Sequence, residues 1–406
     1  MRRIEDLIYD WNVHRDAFHP TKPVYLNDET LRDGLQSPSV ADPSVEAKLE
    51  LIHLMEALGL HGVDLGLPGA GERPREDILR LAKEIADHRM AIRPNVACRT
   101  LVQDIEPVIE LSQRAGVAVE VCTFIGSSSI RQFAEDWSID LLLKHTETAL
   151  SYCRDNDLPV MYVTEDTTRA HPDTVRRLYT LAIELGAKRL CVCDTVGHAT
   201  PPGVRAVVGF VSELAKASDP NIQIDWHGHR DRGFGLANCL AAIAAGADRI
   251  HATALGIGER AGNAEMDLLL VNLRLLGWID NDLTRLRDYA QTAAKAVDVP
   301  IPDNYPVFGS DAFETATGVH AAAVIKAYRK GDVALADMVY SGVPAAMVGL
   351  EQKIGVGPMS GRSNVMWVLE RMGIEPTDAR IQRVLDGGKA SKRLLSEARI
   401  RELAEG

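Results

Sequence analysis

The sequence predicts an α/β protein: a (β/α)8 TIM barrel followed by a smaller, mainly helical C-terminal appendage. Eight short runs of aliphatic and β-branched residues alternate with eight stretches of helical periodicity over roughly 250 residues, which is what a closed parallel barrel requires. The glycine fingerprint that opens a dinucleotide-binding sheet is missing, since Asn27-Asp28-Glu29-Thr30 follows the first run. Polar residues gather just after the runs, at the strand ends where an eight-stranded barrel builds its site.

In chain order, Ile4, Leu7, Ile8 and Trp11 recur at helical spacing, so residues 1–23 are expected to hold a short amphipathic helix that docks on another element. The barrel is expected over residues 24–277. Val24–Asp28 reads as its first strand and Pro43–Leu58, with Val45, Leu49, Ile52 and Met55 on one face, as its first helix. Strand and helix then alternate: Gly62–Leu67 with Pro74–His88, Ile92–Ala97 with Asp104–Ala115, Val117–Phe124 with Ile139–Asn156, and Pro159–Thr164 with Pro172–Leu185. Arg189–Cys193 with Pro201–Ala217 follows; Ile224–His229 with Leu236–Ala245 and Arg249–Ala254 with Glu265–Leu276 complete the eight. Across residues 278–406 the pattern becomes helices separated by Pro302, Pro306, Gly342, Pro344 and Gly361. It closes on a polar helix, Ala379–Glu405, that reads as a solvated face.

A chain of 406 residues, 46% hydrophobic and 25% charged, can bury a full core. A net charge of −12, without any Lys/Arg cluster interleaved with aromatics, excludes a nucleic-acid groove or an anionic-membrane surface and implies a small-molecule partner. No apolar run could span a bilayer, and Met1-Arg-Arg-Ile-Glu-Asp lacks a signal-peptide core, so a cytoplasmic protein is expected. The six cysteines are scattered without a C-x-x-C pair and are expected to be reduced, buried thiols.

The strand ends carry the chemistry. His227 and His229, two apart in extended chain, project to one side and make half of a metal site. Strands one and seven flank strand eight around the ring, so Asp33 from the first strand end can join them, with Asn263 as a further ligand candidate. One carboxylate, two neutral imidazoles and an amide suit a divalent cation with open positions: zinc, manganese, magnesium or cobalt. Such an ion would chelate a 2-oxo acid and stabilise a developing alkoxide, with Arg32 neutralising the same oxygens. Arg32 could instead only fix its loop through Glu29 or Asp33.

Five ordered motifs carry a family resemblance. Asp28-Glu-Thr-Leu-Arg-Asp-Gly34, Glu165-Asp-Thr-Thr-Arg169, Asp194-Thr-Val-Gly-His-Ala-Thr-Pro201, His227-Gly-His229 and Gly256-Ile-Gly-Glu-Arg-Ala-Gly-Asn263 resemble those of the DRE-TIM metallolyases. Within these, the chain is similar to the acyl-CoA-dependent 2-oxo acid synthases: 2-isopropylmalate, homocitrate and citramalate synthases. The resemblance implies a metal-dependent Claisen condensation of acetyl-CoA, or a related acyl-CoA, with a 2-oxo acid, giving a 2-hydroxy diacid and CoA. It implies that Arg32 stabilises the enolate or alkoxide oxygen, that Glu165 belongs to the acid/base network and that Thr195 binds the oxo-acid carboxylate. Cys122 and His198 would border the same substrate. The segment with Gly256, Gly258, Glu259, Arg260 and Gly262 resembles the acyl-CoA loop, and as a tight turn it would also need positive φ. Thr317-Gly-Val-His320 and Tyr340 resemble a proton-transfer pair in the appendage, which in a homodimer would complete the partner's site. Gly355-Val-Gly-Pro-Met-Ser-Gly-Arg362 resembles a further family segment.

Several positions depart from the family pattern: Leu35-Gln36, Cys122, Arg230-Asp231 and Pro358-Met359. They point to an oxo-acid pocket of its own kind, whose specificity is expected to lie with Leu35, Cys122, His198 and Arg230. No leucine-responsive regulatory domain is expected after the appendage. Two other readings compete: a lyase resembling hydroxymethylglutaryl-CoA lyase, suggested by Asp33-Gly-Leu-Gln36, and a non-catalytic barrel kept for binding. Gly258-Glu-Arg-Ala-Gly-Asn263, with His320 and Tyr340, favours the synthase.

Overall fold

Eight parallel strands close on themselves in sequence order, each neighbouring the next and the eighth pairing with the first. They are β1 (Tyr25–Asp28), β2 (Gly62–Asp64), β3 (Arg93–Arg99), β4 (Glu120–Gly126), β5 (Val160–Glu165), β6 (Arg189–Asp194), β7 (Gln223–Gly228) and β8 (Arg249–Ala252). This is the TIM barrel read from the alternation. The computed structural model describes residues 4–12 and 18–406.

Local chemistry starts the helices between the strands. Ser44 and Ser138 accept the Ala47 and Leu141 N–H groups at the starts of helices Val45–Ala57 and Ile139–Asp155. Pro172 and Pro201 occupy first helical positions, where a missing N–H costs nothing. Side chains alternate across each strand, so β5 turns Tyr162 outward, where its hydroxyl meets Thr146 on a covering helix at 2.7 Å, and keeps Met161 and Val163 for the interior. On β7, Trp226 is fully buried outward while Asp225 and His227 face in.

The chain divides into two compact units, and the first extends to Pro300 rather than ending near residue 277. The helix Leu286–Ala296 packs on Val45–Ala57, and the buried Tyr289 hydroxyl donates to the Asp28 carboxylate at the end of β1. A sequence boundary drawn at the end of the eighth repeat misses this helix, because it lies outside the repeating pattern that defined the barrel. The second unit takes in Ile301–Gly406 and the described residues 4–12.

Two expectations are corrected in that second unit. The N-terminal amphipathic helix is a single 3-10 turn, Ile4–Leu7, too short to carry a stripe, and Leu7 and Trp11 are 53% and 81% exposed. Residues 1–3 and 13–17 of the expected segment lie outside the described residues. The closing polar helix is two helices, Asp378–Ala390 and Glu397–Glu405, broken where the Ser391 hydroxyl bonds the Arg393 carbonyl and Ser396 caps the next helix. Both contribute apolar residues to a core of Val356, Val365, Leu369, Ile381, Val384 and Ile400, while most of their Lys, Arg and Glu side chains are exposed, the solvated face that was expected. Among the described residues no helix is long and apolar enough to cross a membrane.

Burial pushes the Asp28 carboxyl up from 3.8 to about 6, against the hydrogen bonds from Thr30 and Tyr289. A raised folded-state pKa gives stability that is present below pH 3.8 and is lost as pH rises through 6, about 3 kcal/mol in all. Asp28→Asn should therefore lack this loss: its unfolding free energy, from urea melts between pH 4 and 7, should fall less than that of the parent. Parallel pH profiles for the two proteins would contradict it.

Candidate active site

The barrel's closure assembles three metal-competent donors. β7 pairs with β8 at His227↔His251, and β8 with β1 at Asp28↔Ala252, so the turn after β1 lies one strand away from His227 and His229. That turn is held by Glu29 N–H on the Ala252 carbonyl and by Gly34 N–H on the Glu29 carbonyl, which aims Asp33 inward. Asp33 Oδ2 lies 3.2 Å from Nε2 of both His227 and His229, and the two Nε2 atoms are 3.3 Å apart. All three residues are buried.

The donor set fits a divalent cation. Metal–ligand bonds of about 2.0–2.2 Å place neighbouring donors roughly 3.0–3.5 Å apart, the spacing of this triangle. Burial lowers the His227 pKa despite Asp33, so the imidazole is neutral and can offer a lone pair. Burial would raise the Asp33 carboxyl, but the Arg32 charge and the two imidazoles hold it well below the usual carboxylate range. Asp33 Oδ1 and Asn263 Oδ1 are buried without a hydrogen-bond partner, which is costly unless something is bound there. Asn263 belongs to the ligand side of the site through its backbone bridge to His229.

Around this triangle lies a buried charge network. Arg32 contacts Glu29, Asp64 at 3.2 Å and Asp33 at 3.7 Å. One guanidinium cannot neutralise three carboxylates: burial and the Glu29 charge push Asp64 up to about 8, while Glu29 is held low by Arg32 and His251 despite its burial. His251 stands between Glu29 and Asp225, 2.8 Å from each. Burial would lower its pKa, but the two carboxylates outweigh that and raise it. Arg249 and Arg189 then bridge Asp225 to Glu120, continuing the charge pairs down the barrel axis.

A cavity of about 230 Å³ opens on the triangle. Arg32, Asp33, Cys122, Glu165, Thr195, His227, His229, Glu259 and Arg260 all line it, from six different strand ends and loops. Burial raises the Glu165 carboxyl, opposed by Arg131 and Arg32. Thr195 Oγ1 accepts the Asp166 N–H at 2.8 Å, which leaves its O–H free to donate. Gly256, Gly258 and Gly262 do not reach the cavity; they form the turn behind Glu259 and Arg260. All three have positive φ, and a Cβ at Gly262 would fall 1.9 Å from the Gly256 carbonyl oxygen.

Three expected specificity positions lie elsewhere. His198 is exposed and outside the cavity lining, because the turn after β6 folds back with the His198 N–H on Asp194. Leu35 is replaced in the lining by Gln36, since the 3-10 turn Gly34–Gln36 rotates successive side chains. Arg230 turns into its own loop, bonded to the Ala261 carbonyl at 2.8 Å and to Glu265. His320 and Tyr340 belong to the C-terminal unit, where their rings stack at 4.3 Å. The segment Gly355–Arg362 anchors the start of the helix Gly318–Arg329, which carries His320: Gly318 N–H bonds the Met359 carbonyl, and Ser360 Oγ bonds the Ala316 carbonyl.

The model of one protein family, HMGL-like, matches residues 23–293, two thirds of the chain. The chain belongs to the HMGL-like family. Among curated relatives, the homocitrate synthase AksA of Methanopyrus kandleri is 32% identical over 383 residues, covering 93% of this chain and 89% of its own. From the same organism, a probable 2-isopropylmalate synthase is 31% identical over 365 residues (89% of this chain, 68% of its own). A putative (R)-citramalate synthase CimA is 29% identical over 396 residues (95% and 73%). A solved HMG-CoA lyase from Bacillus subtilis matches with a TM-score of 0.58 at 22% identity, over 70% of this chain and 97% of that one, a likeness of fold.

For this HMGL-like member, sequence reasoning missed Asp64, His251, Asp225, Arg249 and Glu120. A signal was there: charged or imidazole side chains at alternate positions of otherwise apolar strands, as in Asp225/His227 and Arg249/His251, mark an inward-facing polar column. The geometry predicts that Asp33→Ala and His229→Ala weaken Mn²⁺ or Zn²⁺ binding by on the order of 100-fold or more in calorimetric titration, with the circular dichroism spectrum unchanged. Parent-like affinity in both variants would place the metal elsewhere.

Proposed function

We propose that this cavity condenses an acyl-CoA with a 2-oxo acid, as the names of the relatives suggest, and releases a 2-hydroxy diacid and CoA. The observation that carries the reading is the Asp33–His227–His229 triangle on the wall of the cavity that also holds Arg32 and Thr195. A divalent ion held by Asp33, His227 and His229, with Asn263 beside them, would supply Lewis-acid polarisation of the ketone.

The chain's own groups do the rest. Thr195 O–H is free to donate to the oxo-acid carboxylate. Glu165, whose proton affinity burial has raised, is suited to exchanging a proton with the acyl methyl or with the product oxygen. The acyl carbanion attacks the ketone carbon, a C–C bond forms, and the carbonyl electron pair moves to oxygen. The fixed guanidinium of Arg32, immobilised by Glu29 and Asp64, stabilises that oxygen without reorganising. The oxygen takes up a proton, and water cleaves the thioester to leave the second carboxylate and the CoA thiol. Glu259 and Arg260, presented by the glycine turn, face the acyl-CoA; Arg260 is fixed by Asp231 and the Thr195 carbonyl. His320, with Tyr340 stacked on it, assists proton transfer, and we propose a homodimer in which this pair completes the partner's site.

Acetyl-CoA should release free thiol only when a 2-oxo acid and a divalent metal are both present, and Arg32→Lys should lower kcat by about 10²–10³ because a point charge loses the fork geometry. No thiol release with any oxo acid, together with cleavage of a hydroxyacyl-CoA, would favour the lyase instead. The dimer is checked by complementation: co-expressed Arg32→Ala and His320→Ala chains, each inactive alone, should regain about half of parent activity in the mixed dimer, or about a quarter in a randomly paired population. No regain would put His320 in its own chain's site or outside the reaction.

A further inference from the structure

The wall beside the metal-competent triangle carries a second message, about the side chain of the oxo acid. β4, β5 and β6 pair at Cys122↔Met161, Phe124↔Val163 and Val163↔Cys191, and β6 pairs with β7 at Cys193↔His227. Strand alternation turns these residues inward, and Cys122, Phe124, Met161, Val163, Cys191 and Cys193 all line the cavity. The apolar wall therefore begins on the strand next to His227 and continues across three strands. Burial pushes the Cys122 and Cys191 thiols well up, so they are neutral, and Cys191 and Cys193 lie Sγ to Sγ at 3.7 Å, packed as small apolar groups.

The cations of the cavity are all committed. Arg32 is shared by three carboxylates, His251 is held between Glu29 and Asp225, and Arg260 is paired with Asp231 and the Thr195 carbonyl. Among the described residues no lysine lines the cavity, whereas Glu165 and Glu259 do. A second carboxylate on the substrate would sit against sulfur, aromatic and aliphatic groups, near two acids and without a free partner, and an unpaired buried charge is strongly disfavoured.

Resting on the synthase reading above, we infer that the 2-oxo acid taken by this protein carries an uncharged, apolar side chain, seated on the Cys122–Cys193 wall, and that 2-oxo dicarboxylic acids are rejected. Matched pairs isolate the terminal charge: 2-oxopentanoate against 2-oxoglutarate, and 2-oxobutyrate against oxaloacetate, each pair equal in carbon number. With Mn²⁺ and acetyl-CoA, the methyl-ended member of each pair should show a kcat/KM at least 100-fold higher by thiol release. The Mn²⁺-loaded protein should also be stabilised in thermal melts at least tenfold lower concentrations of the methyl-ended acid. Equal or reversed preference in both readouts would overturn the inference and leave the synthase reading standing. Thiol release by none of the four acids would count against the synthase reading, and the melts would then still decide which side chain the wall accepts.

Discussion

The pairing of β8 with β1 is the contact on which the site depends. Asp33 is nearly 200 residues from His227, and nothing local draws them together; the ring does, because closing it places the end of β1 one strand from the end of β7. The same closure puts His251 between the two, in register with His227 on one side and Asn27 on the other. A sheet left open between β1 and β8 would keep every helix and every motif, yet leave the carboxylate and the imidazoles on opposite edges.

Closure also creates a problem that the charge network answers. Five carboxylates, Glu29, Asp33, Asp64, Asp225 and Glu120, are brought into or beside the barrel interior, against Arg32, His251, Arg249 and Arg189. Each ion would be costly alone in that medium, and breaking one buried pair strands its partner. The balance is reached by sharing: Arg32 spans three acids, His251 two, and Asp64, last in line for positive charge, is the one whose proton affinity rises to about 8. The guanidinium that would meet a developing negative charge is consequently rigid before any substrate arrives, which is how a preorganised donor differs from a mobile one.

Much of the architecture was legible in residue order. Eight aliphatic runs alternating with helical stretches specify the barrel, and motif residues at the ends of the first, fifth, sixth and seventh runs specify where its polar mouth lies; Arg32, Asp33, Glu165, Thr195, His227 and His229 do share one cavity. His198, Leu35 and Arg230 were misplaced because their orientation depends on turn geometry: one residue's rotation in a 3-10 turn exchanges Leu35 for Gln36. The helix Leu286–Ala296 lies outside the repeat, so nothing in the alternation marks Tyr289 as the partner of Asp28. The polar column through His251 and Asp225 escaped notice because the alternating pairs Asp225/His227 and Arg249/His251 show that they face one another across the interior only when the strands are laid side by side.

By itself, then, the sequence determined the barrel, the metal-competent residue types and the likeness to 2-oxo acid synthases, since hydrophobic period and short motifs are local properties of a chain. Only the tertiary structure decided which of the candidate side chains meet and which cations are already spent. It also decided what faces the substrate beside His227. Those are questions of register and of charge sharing between strands distant in sequence, and they were answered when β8 closed on β1.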